Sequence, residues 1–511
     1  MKVRKAIPIL VLSLLIIILS CKQDVQGNRD VFSEPQLGKE PRYINPLPIE
    51  RAGYLADPAV IRIKEKYYLY ATGGLAWSSD DLLHWNYHRV EMPEGSILEA
   101  PAAFVYKGYV YLTGNDTGLY RSRNPLGPFE YIGDFIDEKG RRLERGRQKG
   151  WENGGVFDPM IFVDSDERVY LYYAGGSIHG IYGVELDPRN LRKFLSQPKH
   201  FFGFNPSHKW ERYGNRNEYS HVSWIEGPWM SKRNGTYYLQ YSASGTDWRS
   251  YAVGVYTSKK PLGPFTYYEG SPILIHRKGM INGCGHHCVV EGPEGTWWVF
   301  YTMLYRNWNR EVVLERRIGM DPLGFDDQGN IFINGPSETP QWAPGIMAKP
   351  WEGNDSGSIP LSEDKSYRVS SEAPGRNAPY AFDNNVRTWW AWAENDPEPW
   401  LILDLAAGTR ADPRQEFLID SARILFLLPS SLNQEGTPTR IRKYKIEVSS
   451  DGQTFTTVVD KSNNNKDNAV EFDEIGPVRS RYVKLIITGW PKDLPGGVIE
   501  FTVFGRPGNN K

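Results

Sequence analysis

Three acidic residues stand at matching places along a chain of 511 residues. Asp57 and Asp158 are each followed directly by proline, and Glu226 is followed by Gly227-Pro228. Each opens a short strand-like stretch. Carboxyl groups gathered from separate segments suit general acid–base chemistry, and hydrolysis of a glycosidic bond uses them most directly. One carboxyl must hold a proton for the leaving oxygen. Another must be ionised to deprotonate the attacking water. A third can set the protonation and orientation of its neighbours through its charge. A single Asp-Pro pair is a common strand-entry or turn signal, so the weight rests on the repetition. Glu99, ahead of Ala100-Pro101, is a fourth acid in a comparable place. It reads as a rim residue outside the catalytic set.

The elements that must position these acids form a repeat. Short strands open at Asp57, Ala100, Asp158, Glu226 and His286. Each is followed by a polar turn, such as Lys107-Gly108 or Asn234-Gly235, and by an aromatic-rich strand, such as Tyr67-Tyr68-Leu69-Tyr70 or Trp297-Trp298-Val299-Phe300. That is a hairpin signature. A second element recurs as Ser-Arg-Asn-Pro-Leu-Gly-Pro-Phe at 122–129 and Ser-Lys-Lys-Pro-Leu-Gly-Pro-Phe at 258–265. The units follow one another at roughly 45 to 70 residues per step, which fits a radial array. The expected fold class is therefore all-β: a five-bladed β-propeller over residues 42–344, then a β-sandwich over 367–507. Residues that open the innermost strands should converge near the propeller axis. Between the two domains, 345–366 is rich in Gly, Ser, Pro and Asp and reads as a linker, so the sandwich should be separable.

Net charge is -1, with acids and bases mixed throughout. That argues against nucleic acid or an anionic membrane surface as the main partner. Lys2, Arg4 and Lys5 precede an apolar run at 7–19, which ends in Ser20-Cys21. Residues 1–21 read as a signal peptide, too short for a comfortable membrane span, and 22–41 as a tether. The small residue followed by Cys21 resembles a bacterial lipoprotein lipobox. It implies acylation of Cys21 and a lipid-anchored protein of the bacterial cell envelope at the outer membrane, with the anchor as the only membrane contact. In Cys284-Gly285-His286-His287-Cys288 zinc ligation is tempting. Side chains that alternate along a strand cannot all converge on one ion, so two buried thiols without a disulfide are expected.

The set Ala56-Asp57-Pro58, Phe157-Asp158-Pro159, Ile225-Glu226-Gly227-Pro228 and Gly283-Cys284-Gly285-His286 resembles glycoside hydrolase family 43. The resemblance covers the whole propeller. It implies Asp57 as general base, Glu226 as general acid and Asp158 as the modulator of the acid's pKa. His286 matches an axial histidine near a central ion or water cluster, which it would reach through water. No cofactor is required, but a structural calcium or other ion in the channel is an expectation. His287 stands where a small residue is more usual. The run Leu314-Glu315-Arg316-Arg317-Ile318 resembles the family's last blade, which implies that Arg316 faces the sugar. Trp77, Trp224 and Trp229 are candidate subsite walls, with core packing as the competing reading.

Tyr380-Ala381-Phe382-Asp383-Asn384, Arg387-Thr388-Trp389-Trp390 and Trp400-Leu401-Ile402-Leu403-Asp404 resemble a discoidin, or F5/8 type C, module. Such modules often bind galactose-type sugars, and many only brace a neighbour. Trp389 and Trp390 are expected in its core. The family 43 resemblance implies an inverting, exo-acting hydrolase that removes terminal sugars from plant-type oligo- or polysaccharides, and a monomer is expected. The presence of Asp57 favours an α-L-arabinofuranosidase. A β-galactosidase, galactofuranosidase or β-xylosidase is the alternative within the family. A non-catalytic glycan-binding lipoprotein of the cell surface is the alternative of another class.

Overall fold

Two-residue turns close the hairpins of the repeat. Lys107-Gly108 (φ 47° and 76°) joins Ala102–Tyr106 to Tyr109–Thr113, and Asn234-Gly235 (φ 49° and 73°) joins Glu226–Arg233 to Thr236–Ala243. Positive φ at both turn residues gives the backbone twist that antiparallel strands require. The computed structural model describes residues 35–51, 55–96, 98–115, 118–143, 155–306, 315–406, 415–427, 439–492 and 494–508. The expected signal peptide and Cys21 lie outside these residues.

Five antiparallel sheets follow one another. Blade 1 runs from Ala59–Ile63 to Asn86–Arg89, and blade 2 from Ala102–Tyr106 to Glu130–Gly133. Blade 3 opens with Phe157–Val163, blade 4 with Glu226–Arg233 and blade 5 with Asn282–Glu291. The first strands of successive blades touch in order, and the fifth returns to the first. Outside the blades, the sequence-distant segments Arg42–Tyr43 and Gln341–Trp342 pair with each other. Apolar side chains fill the spaces between blades. Ile61, Tyr70, Val110 and Leu112 pack between blades 1 and 2, and Met160, Tyr172, Met230 and Leu239 between blades 3 and 4. Cys284 and Cys288 are free thiols buried in two of these layers.

The C-terminal domain is a sandwich of two sheets, one centred on Phe417–Phe426 and the other on Tyr482–Gly489. Trp390 is fully buried in its core. Trp389 is also buried, with the Arg376 guanidinium 3.3 Å from its ring centroid. Neither indole therefore offers an open face to a ligand.

The stretch expected to be a linker is packed instead. Asn354, Ser356, Ser358, Leu361 and Ser362 are all buried. Ile359–Pro360 pairs with Val498–Pro507 of the sandwich. The small polar side chains that suggested flexibility satisfy buried partners here. Ser358 Oγ donates to Asp420 Oδ2 at 2.8 Å, and Asn354 Nδ2 donates to the Trp342 carbonyl at 2.9 Å. Propeller and sandwich belong to one compact unit, Gln36–Lys511. Arg42 at the start of the propeller donates to Asp420 at 2.8 Å and pairs with Glu474. Arg423 of the sandwich donates to the Asn45 carbonyl at 2.6 Å. Met280, just before blade 5, is buried in a cluster with Val386, Trp389 and Leu427.

Candidate active site

The residue that turns the chain into each first strand has a left-handed backbone. Asp57 (φ 55°), Ala100 (46°), Asp158 (48°), Gly227 (54°) and His286 (39°) occupy this place in the five blades. Away from glycine such a conformation costs on the order of 1–3 kcal/mol and persists where the surroundings impose it. Hydrogen bonds between blades impose it here. The Ala100 N–H donates to Thr72 Oγ1 (2.9 Å) and the Asp158 N–H to Asn115 Oδ1 (2.6 Å). The His286 N–H donates to Ser242 Oγ (2.8 Å) and the Asp57 N–H to Thr302 Oγ1 (2.8 Å). In every case the acceptor stands in or just beyond the preceding blade's second strand, at one register position. Blade 3 has Ala174 there, which offers no side-chain acceptor. The Gly227 N–H donates instead to Asp158 Oδ2 at 3.1 Å.

Glu226 is thus offset by one position from the two aspartates, with Gly227 as their structural counterpart. The acids still meet. Asp57, Asp158, Glu226, His286, Arg316 and Trp224 all line one cavity of about 250 Å³, and Glu99 lies on its wall as an exposed residue. All three candidate catalytic carboxyls are buried. His286 Nδ1 lies 3.4 Å from Asp57 Oδ1 and 3.5 Å from Asp158 Oδ2, between the two aspartates.

The three carboxyls are tuned apart. Burial opposes charge on Asp57, but Arg316 and His286 beside it, with the Thr72 hydroxyl, outweigh burial and hold the group below the usual aspartate range. Arg316 Nη1 donates to Asp57 Oδ1 at 3.0 Å, and Thr72 Oγ1 to Asp57 Oδ2 at 2.6 Å. Burial raises Glu226 to about 8, against the lowering effect of the Tyr251 hydroxyl, and the charges of Asp57 and Asp247 add to the rise. Tyr251 OH donates to Glu226 Oε1 at 2.7 Å. Asp158 is raised to about 7, mainly by burial, with His286 opposing and the charges of Glu226 and Asp57 assisting. At neutral pH, then, Asp57 is ionised and Glu226 protonated on the walls of one cavity.

Arg316 reaches the cavity, but its guanidinium is engaged with Asp57 and with Thr246 Oγ1 (2.9 Å). Trp77 does not reach it. Its indole is fully buried between blades 5 and 1, and Nε1 donates to the Glu50 carbonyl at 2.7 Å. The subsite-wall reading of Trp77 is therefore corrected to core packing. Trp229 packs against two interblade layers. His287 turns away from the cavity into the interior, with Nε2 2.9 Å from Gln240 Oε1. Burial lowers its pKa to about 3, so the ring is neutral. Among the described residues no group of three or more His, Cys, Asp or Glu side chains is placed to hold a metal ion.

Sequence reasoning missed Asn115 and Tyr213 and gave Tyr251 and Thr246 no role in the site. Tyr251 and Thr246 sit after the second strand of blade 4 and Tyr213 in a long connection before it, and neither segment repeats. The second-strand acceptors could have been found, because Thr72, Ser242 and Thr302 fall at one place in the aligned repeats.

A family model for glycosyl hydrolases family 43 matches residues 47–331, more than half of the chain. The chain belongs to that family. It is a glycoside hydrolase, and the matched stretch runs from ahead of blade 1 into blade 5. An F5/8 type C domain model matches residues 430–499, within the sandwich. Among family 43 relatives, a β-D-galactofuranosidase of Aspergillus niger is 26% identical over 309 residues, 55% of this chain and 82% of the relative. A xylan 1,3-β-xylosidase of a Vibrio species is 26% identical over 275 residues, 48% of this chain. The chain spans about half of that xylosidase's length, 47%. A crystal structure of a thermostable family-43 glycoside hydrolase is 26% identical, with a TM-score of 0.49, and covers 59% of this chain and 99% of that one.

Proposed function

We propose that the protein is an inverting, exo-acting α-L-arabinofuranosidase that removes terminal furanosyl residues from plant-type polysaccharides. The observation that carries this reading is the opposite tuning of Asp57 and Glu226 around one cavity. At about 250 Å³ the cavity is smaller than the usual range for drug-sized ligands and suits one terminal sugar. Glu226 donates its proton to the glycosidic oxygen as the bond breaks. Asp57 takes a proton from the water that attacks the opposite face of the sugar. Arg316 keeps Asp57 ionised, and His286 ties Asp57 to Asp158. Asp158 holds the backbone beside Glu226, and repulsion between the two carboxyl groups opposes ionisation of both together.

A second reading is a galactofuranosidase, favoured by the Aspergillus niger relative, 82% of which is matched. β-D-Galactofuranose has the ring configuration of α-L-arabinofuranose and differs only in a longer exocyclic arm. A panel of 4-nitrophenyl furanosides and pyranosides separates the two readings. Turnover of the arabinofuranoside is expected, while preference for the galactofuranoside supports the second reading. A pyranoside as the only substrate would reject both. We further propose that the enzyme acts as a monomer anchored to the cell envelope through lipid on Cys21.

A further inference from the structure

We propose that Tyr213, Trp248 and Tyr219 form a leaving-group subsite, where the glycan chain that carries the terminal sugar lies as it exits the cavity. The proposal rests on Glu226 as general acid. A general acid must reach the glycosidic oxygen, so the leaving chain emerges on the Glu226 side of the site.

On that side the wall is aromatic. Trp224 lies two residues before Glu226, and Tyr213 lines the same cavity. From Tyr213 the row continues outward. Its ring centroid lies 5.1 Å from that of Trp248, and the Trp248 centroid lies 6.1 Å from that of Tyr219. Tyr219 is 50% exposed, among the most exposed large hydrophobic side chains described. The row therefore runs from the cavity to solvent.

The rings are held by backbone rather than by one another alone. The Tyr213 N–H donates to the Val222 carbonyl (3.0 Å), and the Tyr219 N–H to the Tyr213 carbonyl (3.1 Å). The Trp248 N–H donates to the Gly245 carbonyl (3.1 Å), and the Arg249 N–H to Asn215 Oδ1 (3.1 Å). Gly245 makes the junction possible. A Cβ there would lie 2.4 Å from Tyr213 Cε2, so only glycine lets the ring lie against the wall of the cavity. Two segments from different parts of blade 4's surroundings are thus fixed together to present aromatic surface, which tyrosine and tryptophan supply at low entropic cost. The fitting occupant is a neutral pyranosyl chain with equatorial hydroxyls, whose ring faces present C–H groups to an aromatic side chain.

The test is a comparison of substrates. Wild type and Tyr219→Ala are assayed on 4-nitrophenyl α-L-arabinofuranoside and on a xylo-oligosaccharide bearing an arabinofuranosyl branch. Loss of a contact made only by the chain should lower kcat/KM about tenfold on the branched substrate and leave the aryl glycoside within about twofold. Tyr219→Phe keeps the ring and should behave as wild type. Equal loss on both substrates, or no loss on either, would overturn the subsite. Xylotetraose binding, followed by tryptophan fluorescence, separates this failure from failure of the hydrolase reading, because it needs no turnover. Weaker binding by Tyr219→Ala supports the subsite whatever sugar the enzyme cleaves, and unchanged binding rejects it.

Discussion

The Asp158 carboxylate accepts the backbone N–H of Gly227, the residue that follows Glu226, at 3.1 Å. Elsewhere in the ring that role belongs to a hydroxyl or an amide of the preceding blade. Because Ala174 cannot fill it in blade 3, the modulating carboxyl is built into the backbone that carries the acid. Charge and position are therefore joined in one residue. Asp158→Asn keeps an acceptor and removes the charge, whereas Asp158→Ala removes both. Both should lower kcat, and only the alanine variant should also lower thermal stability. Paired kinetics and thermal unfolding check this. Equal stability of the two variants would show that the Gly227 contact holds nothing.

The tuning of the acid and base sets the pH profile. As the proposed base, Asp57 must work ionised, and its pKa is depressed, so activity should be lost only as pH falls through a value below the usual aspartate range. As the proposed acid, Glu226 must work protonated, so activity should be lost as pH rises through about 8. The Tyr251 hydroxyl stabilises the ionised form of Glu226 and so lowers its pKa. Tyr251→Phe should move the alkaline limb of kcat/KM to higher pH and leave the acid limb in place. Movement of the alkaline limb to lower pH would reverse the assigned effect of the hydroxyl.

Leaving-group chemistry distinguishes the acid from the base. Glu226→Gln should lose on the order of 10²- to 10⁴-fold on glycosides with poor leaving groups. It should keep far more activity on 4-nitrophenyl glycosides, whose leaving oxygen needs little protonation. Asp57→Asn should lose activity on both, since water must still be activated. The reverse pattern would exchange the two roles.

The sandwich should not be separable. A chain ending near residue 350 would strip Arg42 of Asp420 and Glu474 and expose Met280. Such a chain should fail to show a cooperative thermal transition. In the full chain, Arg42→Met leaves Asp420 buried without its cation and should cost about 3–5 kcal/mol, read from denaturant unfolding. A truncated protein with native stability would contradict the interface.

Much of this site was legible in the sequence because the propeller repeats it. Asp57 and Asp158 are marked by the proline that follows, and alignment of the hairpins brings Glu226 to within one position of its place. The errors have a common physical origin. A tryptophan on a blade strand looks the same whether its face of the sheet meets a neighbouring blade or a cavity, and Trp77 meets a blade. Residues 345–366 have the composition of a linker, yet small polar side chains also suit a buried seam where hydroxyls and amides find partners, as Ser358 and Asn354 do. Tyr213, Tyr219 and Trp248 belong to segments outside the repeat, so no internal comparison could single them out.

In the proposed mechanism Asp57 and Glu226 act as base and acid on opposite sides of the scissile bond, with no covalent sugar–enzyme intermediate. Proton NMR during the first minutes of hydrolysis, before mutarotation, reads out the configuration of the first product. The expected first product has the anomeric configuration opposite to that of the substrate. A first-formed product that retains the substrate's configuration would contradict the mechanism.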